Sequence, residues 1–124
     1  MNNNSTLTYM LDLQKEFQMK VGYDFSKMDI KEKGDYCKEM ILWCSDELHE
    51  MLHELPFAKG WSKKYESWDD EKIKEQIQLS KEELIDALLF MLNIFDCLEM
   101  TEEDILREFN KKHKLNIDRQ NSGY

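Results

Sequence analysis

Two short acidic patterns are the residues of this chain whose types and spacing could most readily do chemistry: Glu47 with Glu50 in ELHE, and Glu83 with Asp86 in ELID. Residues three apart on a helix sit on neighbouring turns of one face, so each pair can aim two carboxylates at one point. Four carboxylates facing one another repel and raise each other's pKa, and a hard divalent cation relieves that penalty. An all-oxygen ligand set suits magnesium, which keeps several waters and takes much of its remaining shell from substrate phosphates. The expected cofactor is therefore Mg2+, and the expected chemistry is phosphate chemistry. Taken singly, ExxE and ExxD are common on solvated helix surfaces. Their placement beside apolar stripes on successive helices separates these two pairs from that background.

A second signal lies near the end of the chain, where Lys111, Lys112, Lys114 and Arg119 cluster with only Asp118 opposing them. Lys112, Asn116 and Arg119 recur at i, i+4 and i+7, one helical face offering cationic and amide donors to phosphate oxygens. The plainer explanation is that basic residues complement the dipole at a helix C-terminus. Gln14 occupies an apolar face with Gln18 one turn later. A buried amide costs about 1–3 kcal/mol unless its hydrogen bonds are met, so Gln14 needs a protein partner or a nucleobase edge. Asn93 and Asp96 interrupt an apolar helix in the same way, and a helix-to-helix hydrogen bond is expected for both. His49-Glu50-Met51-Leu52-His53 reads as HExxH, the zinc helix of many metallopeptidases. Glu54 follows where an apolar residue is usual, no third ligand stands out and no strand edge is in sight, so surface histidines on an acidic helix are the better account.

The elements that must position these residues are helical throughout. Leu7, Met10, Leu11, Phe17 and Val21 mark one face of a helix from Ser5 to about Val21. A second helix is predicted to open at Asp35 and to bury Cys37, Met40, Ile41, Cys44, Leu48, Met51, Leu52 and Leu55, with Pro56 and Gly60 ending it. The stretch from Phe57 to Asp70, with Trp61 and Trp68, reads as a connecting loop that covers something. A third helix starts near Asp70, with a possible restart at Ser80, and runs to Leu98; from Ala87 to Phe95 it is apolar almost all round, as a central helix should be. Thr101 opens a fourth, with Asp104 three places on and Ile105, Leu106 and Phe109 toward the core. The fold class is all-α, a bundle of four to five helices.

At 124 residues the chain has room for one domain, spanning 1–124. With 26 acidic against 17 basic residues the net charge is −9, a field that repels nucleic acid and anionic membrane. The longest apolar run, Ala87 to Leu92, is too short to cross a bilayer, and MNNNST lacks the regions of a signal peptide, so a cytoplasmic location is expected. Cys37, Cys44 and Cys97 have no CxxC spacing and are expected to be reduced core residues.

The stretch from Lys81 to Lys112, KEELIDALLFMLNIFDCLEMTEEDILREFNKK, resembles the C-terminal half of MazG-like all-α nucleotide pyrophosphohydrolases, and the ending KHKLNIDRQNSGY resembles the dimeric dUTPases within that superfamily. The resemblance covers Leu11 to Gln14, Tyr36 to Trp61 and Lys81 to Tyr124. It implies a homodimer that hydrolyses the nucleoside triphosphate dUTP to dUMP and pyrophosphate. It implies Mg2+ held by Glu47, Glu50, Glu83 and Asp86, phosphates bound by Lys112, Asn116 and Arg119, uracil read by Gln14, and an aromatic loop of Phe57, Lys59 and Trp61 against the base. Glu47 is chosen over Glu50 as the general base. Where the family's first helix carries an asparagine one turn after the glutamine, this chain has Phe17 and Gln18. Closure over substrate falls to the Phe57 to Asp70 loop or to a second subunit. The alternatives are a pyrophosphohydrolase for another nucleotide such as dCTP, and a non-catalytic helical module that retains the fold.

Overall fold

The computed structural model describes residues 5–123, and among these there are four α-helices and no strand: α1 Thr6–Lys20, α2 Ile30–Glu54, α3 Asp70–Cys97 and α4 Glu102–Asn121. Single 3-10 turns, Phe25–Lys27 and Lys64–Ser67, interrupt the two longer connections. The class is as the periodicity predicts, and the boundaries differ at two places. The second helix opens five residues before Asp35, because Asp29 and Glu32 form a capping box in which each side chain bonds the other's backbone N–H. The third helix does not restart at Ser80: Asp69 caps it by accepting from the Lys72 N–H, and the Ser80 hydroxyl bonds the Gln76 carbonyl inside the helix. Thr101 and Asp104 form the expected capping box at the start of α4.

α2 and α3 form the spine and run antiparallel. Moving down α2 and up α3, Lys33 meets Cys97, Met40 meets Asn93, Cys44 meets Ala87 and Glu54 meets Gln76. Cys44, Ala87 and Ser80 are buried at this seam, and such small side chains allow close helix approach. One end is filled by Phe25, Tyr36, Met40 and Cys97, with Phe25 and Tyr23 each 5.0 Å from the Tyr36 ring. The other end is closed by Tyr65, buried among Phe57 and Trp68, whose hydroxyl accepts the Lys59 N–H at 3.1 Å. Gln76 locks the same end by donating to the Glu54 carboxylate and carbonyl.

α1 lies against α3. Leu11 and Gln18 are its buried residues, and Gln18 accepts from the Tyr36 hydroxyl at 2.7 Å. α1 and α3 both end in a left-handed residue, Gly22 at φ +108 and Glu99 at φ +59; the N–H of the next residue, Tyr23 or Met100, returns to the Gln18 or Phe95 carbonyl respectively. The expected inward faces are only partly buried. Phe17, Val21, Ile41, Leu48, Leu52, Leu106 and Phe109 are exposed, and α4 has no buried residue at all. A single chain of this size has too few helices to cover both sides of the spine. The three cysteines are free, Cys44 and Cys97 buried and Cys37 half-buried. No helix among the described residues is long and apolar enough to cross a membrane.

Candidate active site

The small-residue seam fixes the geometry of the acidic pairs. Glu47 lies one turn beyond Cys44 on α2, and Glu83 one turn before Ala87 on α3, so close packing there brings the two carboxylates face to face. One oxygen from each of Glu47, Glu83 and Asp86 lies within 4.8 Å of the others, with Glu47 and Glu83 half-buried and Asp86 exposed. Glu50 borders the same cluster, where the neighbouring Glu83 pushes its carboxyl above the ordinary range. Glu83 is raised in turn, first by Glu47 and then by partial burial. Three oxygen donors at that spacing, with no cationic side chain paired to them among the described residues, fit a hard divalent ion.

Farther along α3 stands a second group. Asn93 is seven residues beyond Asp86, hence on the same face and roughly 10 Å along the axis. Asn93 is buried, and its carbonyl oxygen accepts from the Gln14 side-chain amide at 3.0 Å. Gln14 therefore has the protein partner that its position demands, and the bond leaves the Gln14 carbonyl oxygen as the acceptor for a ligand. Asn93 also satisfies the expectation of a helix-to-helix bond. Asp96 does not: its Oδ2 is buried without a hydrogen-bond partner, and burial pushes its carboxyl up to about 6.

The remaining candidates are not gathered at the carboxylates within the described chain. Lys112, Asn116 and Arg119 lie on α4, where every residue from Phe109 to Gly123 is exposed. Trp61 is 83% exposed, while Phe57 packs on Tyr65 at φ +64 and Lys59 is tied by its backbone to the same tyrosine. Sequence reasoning singled out Trp61 and Trp68 in this loop and missed Tyr65, the side chain that organises it. Nothing in the pattern KKYESW distinguishes that tyrosine from a solvated one. His49 and His53 lie on α2 beside the loop, and their ring nitrogens face each other.

An antiparallel helix pair carrying facing acidic pairs, with an amide pair two turns away, is suited to metal-assisted phosphate chemistry beside a polar ligand edge. Residues 71–124 match the family model described as dUTPase. A dCTP pyrophosphatase of Enterobacteria phage T4 is 28% identical over 141 aligned residues, spanning 95% of this chain and 82% of the phage protein. A dCTP pyrophosphatase of Enterobacteria phage LZ5 is 28% identical over 150 aligned residues, spanning 100% and 86%. No solved structure gives a significant match. The chain is thus similar over residues 71–124 to the dUTPase family and, along most of its length, to two phage nucleotide pyrophosphatases.

Proposed function

We propose that this chain, as a single domain over 1–124, is a magnesium-dependent pyrophosphohydrolase that converts dUTP to dUMP and pyrophosphate. The observation that carries the reading is the convergence of Glu47, Glu83 and Asp86 from two helices, with Glu50 at the border. These four residues would hold the metal. When bound, magnesium neutralises charge on the triphosphate and acidifies water. Glu47, the more enclosed carboxylate of its pair, takes the proton from the attacking water. Lys112 and Arg119 meet charge developing on the phosphate oxygens, and Asn116 donates its amide beside them. Gln14 presents its carbonyl oxygen to an N–H of the base, with Asn93 holding the amide in place. Trp61 supplies an aromatic face to the base when the loop closes.

The functional unit is a cytoplasmic homodimer. The side chains of Ile77, Leu84 and Met91, spaced by sevens along α3, are exposed, as are Ile41, Leu48 and Leu52 on α2 and Phe109 on α4. An apolar surface of that extent favours a protein partner, and a second copy would also lay an α4 face near a carboxylate cluster. The net charge of −9 argues against nucleic acid and anionic membrane as partners.

A second reading, dCTP as substrate, is favoured by the names of the two phage relatives. The Gln14 carbonyl oxygen accepts equally from uracil N3–H and from the cytosine amino group. Initial rates of pyrophosphate release from dUTP, dCTP, dTTP, dATP and dGTP, each with Mg2+, test the assignment. The dUTP reading predicts a preference for dUTP of tenfold or more over dTTP. Faster release from dCTP replaces the substrate while keeping the chemistry, and no release from any of the five leaves a non-catalytic helical module.

A further inference from the structure

His49 and His53 play no part in the hydrolytic scheme. Both side chains are exposed, yet they converge: the two Nε2 atoms are 3.2 Å apart, and the rings meet edge to face with centroids at 4.8 Å. Two zinc–nitrogen bonds of about 2.0–2.1 Å at a tetrahedral angle place their nitrogens about 3.3–3.4 Å apart, and at a right angle about 2.9 Å. The observed separation falls between these values, so one ion can reach both nitrogens with little side-chain movement.

We propose that His49 and His53 form a two-imidazole clamp for a borderline divalent transition cation such as Zn2+, Ni2+ or Cu2+, separate from the carboxylate cluster. Ligand softness divides the two sites, since imidazole suits these ions whereas carboxylate and water suit magnesium. Asp46, Glu50 and Glu54 surround the clamp with negative charge on the same helix, and Lys59 and Lys64 of the loop oppose it. Among the described residues, no third histidine, cysteine or carboxylate joins the pair within ligand range. The other coordination positions are therefore open to water or to an oxygen donor such as phosphate. With half the ligands of a closed structural site, the affinity expected is on the order of 1–100 μM. The competing account of the 3.2 Å contact is a hydrogen bond between the two rings with no metal affinity.

The untagged full chain decides between them when Zn2+ is titrated against a chromophoric chelator, with Mg2+ in excess to fill the carboxylates. The clamp predicts one Zn2+ per chain, at least tenfold weaker in His49→Ala and in His53→Ala and unchanged in Glu83→Gln. Both histidines are exposed and alanine is the better helix former, so the variants keep the fold, as far-ultraviolet circular dichroism would verify. Electron paramagnetic resonance of the Cu2+-loaded chain should show coupling to two nitrogens. Wild-type affinity in both histidine variants, no binding tighter than about 100 μM, or an all-oxygen Cu2+ spectrum would overturn the clamp.

Discussion

The side chains that matter most here are those placed against their own preference. Glu47, Glu50, Glu83 and Asp86 crowd like charges at the α2–α3 seam, an arrangement that costs stability until a cation arrives. Replacing Glu83 by glutamine should therefore raise the melting temperature in chelated buffer, while Mg2+ stabilises the wild type more than the variant; calorimetry with and without Mg2+ reads both. Asp96 is a different case, because burial rather than a neighbouring carboxylate holds its proton, with Lys15 countering weakly and Asp12 adding to the rise. Its carboxyl sits at about 6 folded against 3.8 ordinarily, so the folded chain binds the proton more tightly than the unfolded one. Stability then falls as pH rises between those values, and the penalty, on the order of 2–3 kcal/mol, is fully present above both. Asp96→Asn should stabilise the protein at pH 8 and have little effect near pH 4, as thermal unfolding at the two pH values would establish. Equal shifts at both would remove the explanation. Gln18 offers the converse test. Tyr36→Phe takes away the hydroxyl that donates to this buried amide at 2.7 Å, and should cost about 1–2 kcal/mol in urea unfolding.

At the scale of elements, the helices were legible because apolar periodicity and caps are local. Thr101 with Asp104 marks the start of α4 in sequence and in structure. The start of α2 was misplaced because Gly34 and the charged run Lys31 to Asp35 look like a loop. The Asp29–Glu32 box overrides them, and the glycine is carried inside the helix. Asp29→Ala should accordingly cost about 1 kcal/mol, visible as a lower urea midpoint with an unchanged slope. The facing of ELHE and ELID was legible as a possibility only. What brings the pairs together is the burial of Cys44, Ser80 and Ala87, and a register between two helices is a tertiary property. The Gln14–Asn93 bond was half legible. Both amides stood out on apolar faces, but their pairing across 79 positions needed the packing of α1 on α3.

Across the whole molecule, the surface is unusually apolar for a chain with 35% charged residues. Ile77, Leu84 and Met91 on α3 and Phe109 on α4 lie open, which explains why Ala87 to Phe95 reads as a central helix although one chain leaves part of it uncovered. The proposed homodimer would cover that face. Sedimentation should give twice the 15.0 kDa chain mass, and Met91→Glu should shift the protein to monomer and weaken hydrolysis at least tenfold if the partner's α4 completes the site. A monomeric wild type at working concentration would remove the dimer from the proposal.

In the proposed scheme the carboxylates of α2 and α3 together support magnesium-dependent hydrolysis at the phosphate nearest the sugar. Chromatography of dUTP incubated with the wild type and with Glu83→Gln, each with Mg2+ or with chelator, is the decisive measurement. Equal amounts of dUMP and pyrophosphate should form with wild type and Mg2+ alone, and the variant should be slower by a factor of a hundred or more. Release of dUDP and orthophosphate, or a Glu83→Gln rate equal to wild type, would contradict it.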